Sequence, residues 1–334
     1  MLRARDHAIN IGLLLLTLTI VIGGAEAGLR MTGIEKGRVA PPPLYRRNTD
    51  PDISYELKPT MREQAFRSTV TTNALGFRSP EPDPEKPIVA VLGDSITFGY
   101  GVEDEETLPS RLQMHLPNYS VLNAGVPGYT IVQERATWEK KLKALDPEIL
   151  MLVFYWNDMS EFVPADLSAD GNLHPRGQVP TKPVCAPIRD GIMGLIPGKC
   201  WLDTHSAVYR VLKKLVLQKT MQRDLAEQRK AYAEDPSYEY LTDSGFQTYA
   251  TEFRRLAAAV PADLKKIFVI WPDKSLHVTL RPRLRQLAGD AGFTVIDLYD
   301  TFGNEAETLT WDTVHPSAKT LEKAAAAIAG VMKY

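Results

Sequence analysis

Four short segments of the chain carry residues that could together perform nucleophilic acyl chemistry. The first is Gly93-Asp94-Ser95-Ile96-Thr97-Phe98-Gly99, directly behind the apolar run Ile88 to Leu92. A serine hydroxyl at the carboxyl end of a buried strand can act as a nucleophile, given a base to take its proton and N–H groups to stabilise an oxyanion. Taken alone, Ser95 reads as a helix N-cap, a position that serine favours. A base is available near the C-terminus, in Asp312-Thr313-Val314-His315-Pro316. A spacing of three lets both side chains of a loop point into one cleft, so that His315 serves as base while Asp312 orients the imidazole and stabilises its charged form. The other histidines, His7, His115, His174, His205 and His277, lack such a setting; His277 follows a strand end and reads as a loop residue.

Donors for an oxyanion come from the remaining two segments. In Asn123-Ala124-Gly125-Val126-Pro127-Gly128-Tyr129-Thr130 the glycines let backbone N–H groups approach a ligand, and Gly128 is the candidate donor. The same loop also reads as a plain β-to-α turn. Trp156-Asn157-Asp158 places a neutral amide after the run Ile149 to Phe154, where Asn157 is either an oxyanion donor or a turn or cap residue.

In this order the four segments resemble the blocks of the SGNH, or GDSL-type, serine hydrolases, and the resemblance covers about residues 88–130, 149–158 and 267–328. It implies Ser95 as nucleophile, Gly128 and Asn157 as oxyanion-hole donors beside the Ser95 backbone N–H, and Asp312 with His315 as the rest of a triad. It also implies the flavodoxin-like fold of that family and esterase or acyltransferase activity in the cell envelope. Two departures stand out. The family's third block usually has glycine two residues before the asparagine; here Tyr155 stands there, followed by Trp156. These aromatics are expected either to form a sugar platform or acyl wall or to pack beneath an insertion. The Ile96 that follows Ser95 replaces the family's leucine at nearly constant volume. No Gly-x-Ser-x-Gly elbow surrounds Ser95, which sets the chain apart from the α/β-hydrolase pattern.

The elements that must position these residues are legible as a rhythm. Short apolar runs at Ile88 to Leu92, Ser120 to Asn123, Ile149 to Phe154, Ile267 to Trp271 and Thr294 to Ile296 suit strands buried on both faces of a parallel sheet. Helical patterns at Thr107 to Leu116, Val132 to Leu145, Phe246 to Val260 and Leu280 to Ala291 lie between or beside them. Repeated β-α-β units predict an α/β chain folded as a three-layer α/β/α sandwich with about five parallel strands, whose ligands bind beyond the strands' carboxyl ends. About ninety residues interrupt the rhythm after Phe154, which predicts an insertion over about 159–245. It contains the pattern Val208 to Lys230, a basic amphipathic helix that reads either as a cap helix with a solvated face or as one resting on an anionic membrane.

At the N-terminus Arg3 and Arg5 precede an uncharged run of 17 residues, Ile9 to Ala25. Residues 1–30 are therefore expected to be an uncleaved membrane anchor, with a signal peptide cut after Ala27 as the alternative. The basic end should stay cytoplasmic, placing the rest outside the inner membrane. Residues 31–87, with Pro41, Pro42, Pro43, Arg46 and Arg47, are expected to be a stalk and an extended segment wrapping a hydrolase domain at 88–334. Cys185 and Cys200, the two cysteines, permit a disulfide across a short loop in an oxidising space, worth about 3 kcal/mol in the chain-entropy model.

Composition narrows the function classes. Across 334 residues, 39 Lys and Arg against 41 Asp and Glu leave a net charge of −2, so no basic field favours nucleic acid. A mean hydropathy of −0.20 excludes a polytopic membrane protein. No metal or organic cofactor is expected, because the proposed triad supplies its own base and no phosphate-loop or dinucleotide signature occurs. The expectation is an exported serine esterase acting on an acylated glycan, with polysaccharide O-acyl transfer, lipid ester or thioester cleavage and non-catalytic glycan binding as alternatives.

Overall fold

A computed structural model describes residues 2–32, 44–168, 171–179, 194–234 and 241–332. The chain divides into two units, Met1–Val39 with Pro180–Asp224, and Ala40–Val179 with Leu225–Tyr334.

The second unit begins with two small antiparallel hairpins, β1 (Tyr45–Arg47) with β2 (Tyr55–Leu57) and β3 (Arg62–Ala65) with β4 (Ser68–Thr71). Its centre is a parallel sheet of β5 (Ile88–Gly93), β6 (Ser120–Gly125), β7 (Ile149–Phe154) and, after a short antiparallel hairpin of β8 (Ala165–Leu167) with β9 (Leu173–Pro175), β10 (Lys265–Ile270) and β11 (Thr294–Asp297). The strand order is β6-β5-β7-β10-β11. Val89 to Leu92 and Leu150 to Phe154 are almost wholly shielded from solvent, as strands covered on both faces must be. Helices flank the sheet to complete the three layers: Leu108–His115 packs with Ala318–Met332, and Ile131–Thr137 packs with Asp243–Ala259.

Most expected elements form within one or two residues of their predicted limits. The pattern Val132 to Leu145 departs in kind, because the α-helix ends at Thr137 and continues as a wider π-turn over Trp138–Leu142 and a tight 3₁₀ turn over Lys143–Leu145. The wider turn seats the fully buried Trp138, whose indole N–H donates to the Ala259 carbonyl at 3.3 Å. The segment expected simply to be extended is instead the two N-terminal hairpins, with β2 fully buried.

In the first unit, the helix Leu2–Thr32 contains the apolar span Ile9–Met31, long enough to cross a membrane, with Leu13 to Leu16 and Ile20 to Ile22 exposed. Its Glu26 carboxylate accepts the N–H groups of Ala207 (2.7 Å) and Val208 (3.1 Å), at the start of the helix Ala207–Glu234. Ser206 Oγ donates to the same carboxylate, and Arg30 bridges Glu26 to the His205 carbonyl. Cys200 lies in the helix Lys199–His205; Cys185, its expected partner, is outside the described residues.

Candidate active site

In this strand order the chain leaves β5 for β6 on one side and returns to β7 on the other, and the crevice beyond the carboxyl ends at such a reversal is where open α/β sheets bind ligands. β5 delivers Asp94 and Ser95 there, β6 leads to Gly128, and β7 leads to Asn157. The strand ends meet closely. A Cβ at Gly125 would lie 2.3 Å from the Phe98 nitrogen, and one at Gly93 would lie 2.8 Å from the Val153 carbonyl oxygen.

Asp94, rather than Ser95, caps the short helix Ser95–Phe98: its Oδ1 accepts the Ile96 N–H at 2.8 Å. Ser95 is the first helical residue, so its hydroxyl is not committed to the cap. His315 Nε2 lies 3.0 Å from Ser95 Oγ, and His315 Nδ1 lies 2.7 Å from Asp312 Oδ2. The other oxygen of Asp312 accepts the backbone N–H groups of Val314 and His315. Burial would raise the Asp312 carboxyl, but its hydrogen bonds to the His315 ring, the imidazole's charge and the two N–H groups outweigh that and hold it below the usual carboxylate range. Tyr100 stacks on the imidazole, its ring 4.1 Å from the His315 ring and inclined by 23°.

Gly128 adopts φ +80, a conformation that disfavours a side chain. Tyr55 fixes the loop around it by donating its hydroxyl to the Pro127 carbonyl at 2.8 Å, while Tyr129 donates to the Tyr55 carbonyl at 2.6 Å. Asn157 stands in the turn Trp156–Met159, and its buried Oδ1 has no hydrogen-bond partner among the described residues. Gly128, Asn157 and Tyr55 share the lining of a cleft of about 370 Å³.

Residues 91–322 match the GDSL-like lipase/acylhydrolase family. The chain belongs to that family. It is thereby an ester-hydrolysing enzyme. Solved structures similar to this GDSL-family protein include a member of the lipolytic protein G-D-S-L family from Veillonella parvula DSM 2008, at 12% identity over 74% of this chain and 98% of that one, with a TM-score of 0.41. A lipase/acylhydrolase from Enterococcus faecalis is 16% identical over 74% and 96% of the two chains, with a TM-score of 0.38. An acetyl-xylooligosaccharide esterase variant from Geobacillus Stearmophilus is 15% identical over 76% and 97%, with a TM-score of 0.40. No curated protein matches the sequence.

The aromatic pair of this GDSL-family chain sits differently from the sugar platform or acyl wall that the sequence allowed. Trp156 is fully buried and stacked on His277, with ring centroids 3.6 Å apart and planes 16° apart, and Tyr155 is also buried. With no accessible face, Trp156 packs beneath the site. His277, itself fully buried at φ +46, is part of the same stack. Two residues that position the site carry no sequence signal. Tyr55 acts across 72 residues on Pro127. Arg78, whose side chain is wholly buried, donates to the carbonyls of Phe98, Gly99 and Val102 and pairs with Asp104, fastening the loop behind Ser95. Among the described residues no group of three or more His, Cys, Asp or Glu side chains is placed to hold a metal ion.

Proposed function

We propose that this enzyme is a membrane-anchored, exported serine esterase that removes acetyl or other short acyl groups from a carbohydrate through an acyl-Ser95 intermediate. The observation that carries the reading is the hydrogen-bonded line Ser95 Oγ to His315 Nε2 (3.0 Å) and His315 Nδ1 to Asp312 (2.7 Å). His315 takes the Ser95 proton as Oγ attacks the ester carbonyl. The tetrahedral oxyanion is held by the Ser95 and Gly128 N–H groups and the Asn157 amide. Collapse expels the alkoxide, which leaves with the proton from His315 as the free alcohol. Water, deprotonated by His315, then attacks the acyl-serine, and the acid departs as Ser95 recovers its proton.

A cleft lined by Asn157, Glu161 and His174 beside the apolar Val163, Leu173 and Pro175 suits a sugar, which presents both hydroxyl and C–H faces. The anchor reading is supported by Glu26, because cleavage after Ala27 would remove the carboxylate that caps the helix Ala207–Glu234. With the basic N-terminus cytoplasmic, the catalytic unit is periplasmic, and a Cys185–Cys200 disulfide belongs to the same proposal; peptide mapping without reductant tests it.

The deciding experiment is hydrolysis of p-nitrophenyl esters of increasing acyl length by the full chain in detergent, with Ser95→Ala as control. Turnover that peaks at acetyl and disappears in Ser95→Ala, together with Ser95-dependent labelling by a fluorophosphonate, is the expected result. A maximum at long chains replaces the carbohydrate reading with a lipid one, and turnover that survives in Ser95→Ala overturns the nucleophile.

A further inference from the structure

The cleft of about 370 Å³ beside Gly128 and Asn157 has a second wall that the family blocks do not supply. That wall consists of Ser160, Glu161 and Val163 after β7 and of Leu173, His174 and Pro175 from β9. Within its unit it is fastened to the N-terminal hairpin of β1 and β2. The Ala165 N–H donates to Ser54 Oγ at 3.2 Å, the Gly177 N–H donates to Asp166, and Ala165 and Leu173 pack against the apolar cluster of Leu44, Ile53 and Tyr55. Tyr55 therefore touches the hairpin's cluster and also holds the Gly128 loop.

Whatever group fills this cleft is attached close to the carbonyl whose oxyanion Gly128 and Asn157 would receive. The volume is far more than an acetyl methyl needs and falls at the small end of ligand sites. Its chemistry is mixed: Glu161 and His174 offer an acceptor and a ring nitrogen that can donate or accept, while Val163, Leu173 and Pro175 offer apolar faces. Alternating hydroxyl and C–H faces are what a pyranose ring presents. A long acyl chain would cover the half-buried His174 ring without offering its nitrogens a partner, which is costly.

We propose that the segment 160–163 and the strand β9 form the alcohol-side subsite of this enzyme, with Glu161 and His174 as specificity residues that hydrogen-bond the hydroxyls of a glycosyl unit bearing the ester. This rests on the esterase reading above and adds to it the location and identity of the residues that select the alcohol.

The test uses Glu161→Gln and His174→Ala in the full chain. The kcat/KM for an O-acetylated oligosaccharide is divided by that for p-nitrophenyl acetate, which has no sugar to place. Each variant is expected to lower this ratio about tenfold, the scale of one or two lost hydrogen bonds. An unchanged ratio overturns the subsite, and a selective loss on p-nitrophenyl octanoate reassigns the cleft to the acyl chain and also overturns it. A binding measurement keeps the subsite separate from the chemistry: in a Ser95→Ala background, His174→Ala should weaken oligosaccharide binding about tenfold in calorimetry. If wild-type chain hydrolyses no ester yet this binding difference holds, the esterase mechanism fails while the sugar site stands; equal binding by both chains sinks the site.

Discussion

At the scale of single residues, Asp312 uses its two oxygens for different tasks. Oδ2 faces the imidazole, and Oδ1 receives two backbone N–H groups that fix the carboxylate in place. An amide in its place supplies one oxygen and one NH₂, so it cannot keep both tasks, and Asp312→Asn is expected to lower kcat by about 10⁴ with the fold intact. Steady-state kinetics on p-nitrophenyl acetate check this. From the oxyanion-donor role proposed for it, Asn157→Ala should cost about 10²–10³ in kcat, with KM much less affected, because such a donor acts chiefly in the transition state. Asp312 also carries a pH signature. Its folded carboxyl lies below its unfolded value of about 4, so its stabilising contribution is present above that pH and is lost as pH falls through the depressed folded value. The melting-temperature gap between wild type and Asp312→Asn should therefore narrow as pH falls below about 4; a gap that stays the same between about pH 5 and pH 3 would count against the assignment.

At the scale of elements, the site depends on how strand ends and helices meet. Gly125→Ala should destabilise the chain and abolish turnover together, because the new Cβ would meet the backbone at Phe98, which cannot rotate away as a side chain can. The helix Ile131–Thr137 carries Glu134, fully buried with neither carboxyl oxygen hydrogen-bonded among the described residues, in the electrostatic reach of buried Asp158 and Asp94. Burial first, and the Asp94 charge second, push the Glu134 carboxyl well up, so it is neutral where an unfolded glutamate is ionised. The folded state then holds a proton that the unfolded state releases above about pH 4, and stability falls as pH rises. Glu134→Gln removes that slope: its melting temperature should exceed wild type at pH 8 and converge on it toward pH 4. A uniform offset at both pH values would refute the buried neutral acid. The sequence displays the central sheet because strands shielded on both faces must be continuously apolar, as at Ile149–Phe154. It displays Ser95, Gly128, Asn157, Asp312 and His315 because each ends a strand or precedes a helix in a recognisable block. It hides β1 to β4, whose three or four residues are too few and too polar to show a period, and it hides Glu134, which stands among Gln133 and Arg135 like any solvated charge.

At the scale of the whole molecule, the apolar run near the N-terminus is obvious in the sequence, yet composition leaves an anchor and a removable signal indistinguishable. The proposal that the segment is kept rests on a long-range contact: Glu26, 181 residues before Ala207, takes the place of an N-cap for the helix Ala207–Glu234. The first N–H groups of a helix have no partners within it, so a carboxylate there both satisfies them and complements the helix dipole. A chain cut after Ala27 would lose Glu26 and leave Arg30 without its ion-pair partner. The intact chain is therefore expected to keep its N-terminal segment, to remain in the membrane pellet after alkaline carbonate extraction, and to show the uncut mass. Glu26→Ala should leave membrane retention in place, since the uncharged run Ile9–Ala25 is unaltered, but should speed proteolysis within 207–234 because the first turn frays. A released, truncated protein beginning at Gly28 would show that Glu26 serves only before processing. An intact Glu26→Ala chain cut no faster than wild type would show that the capping contact contributes nothing to the helix.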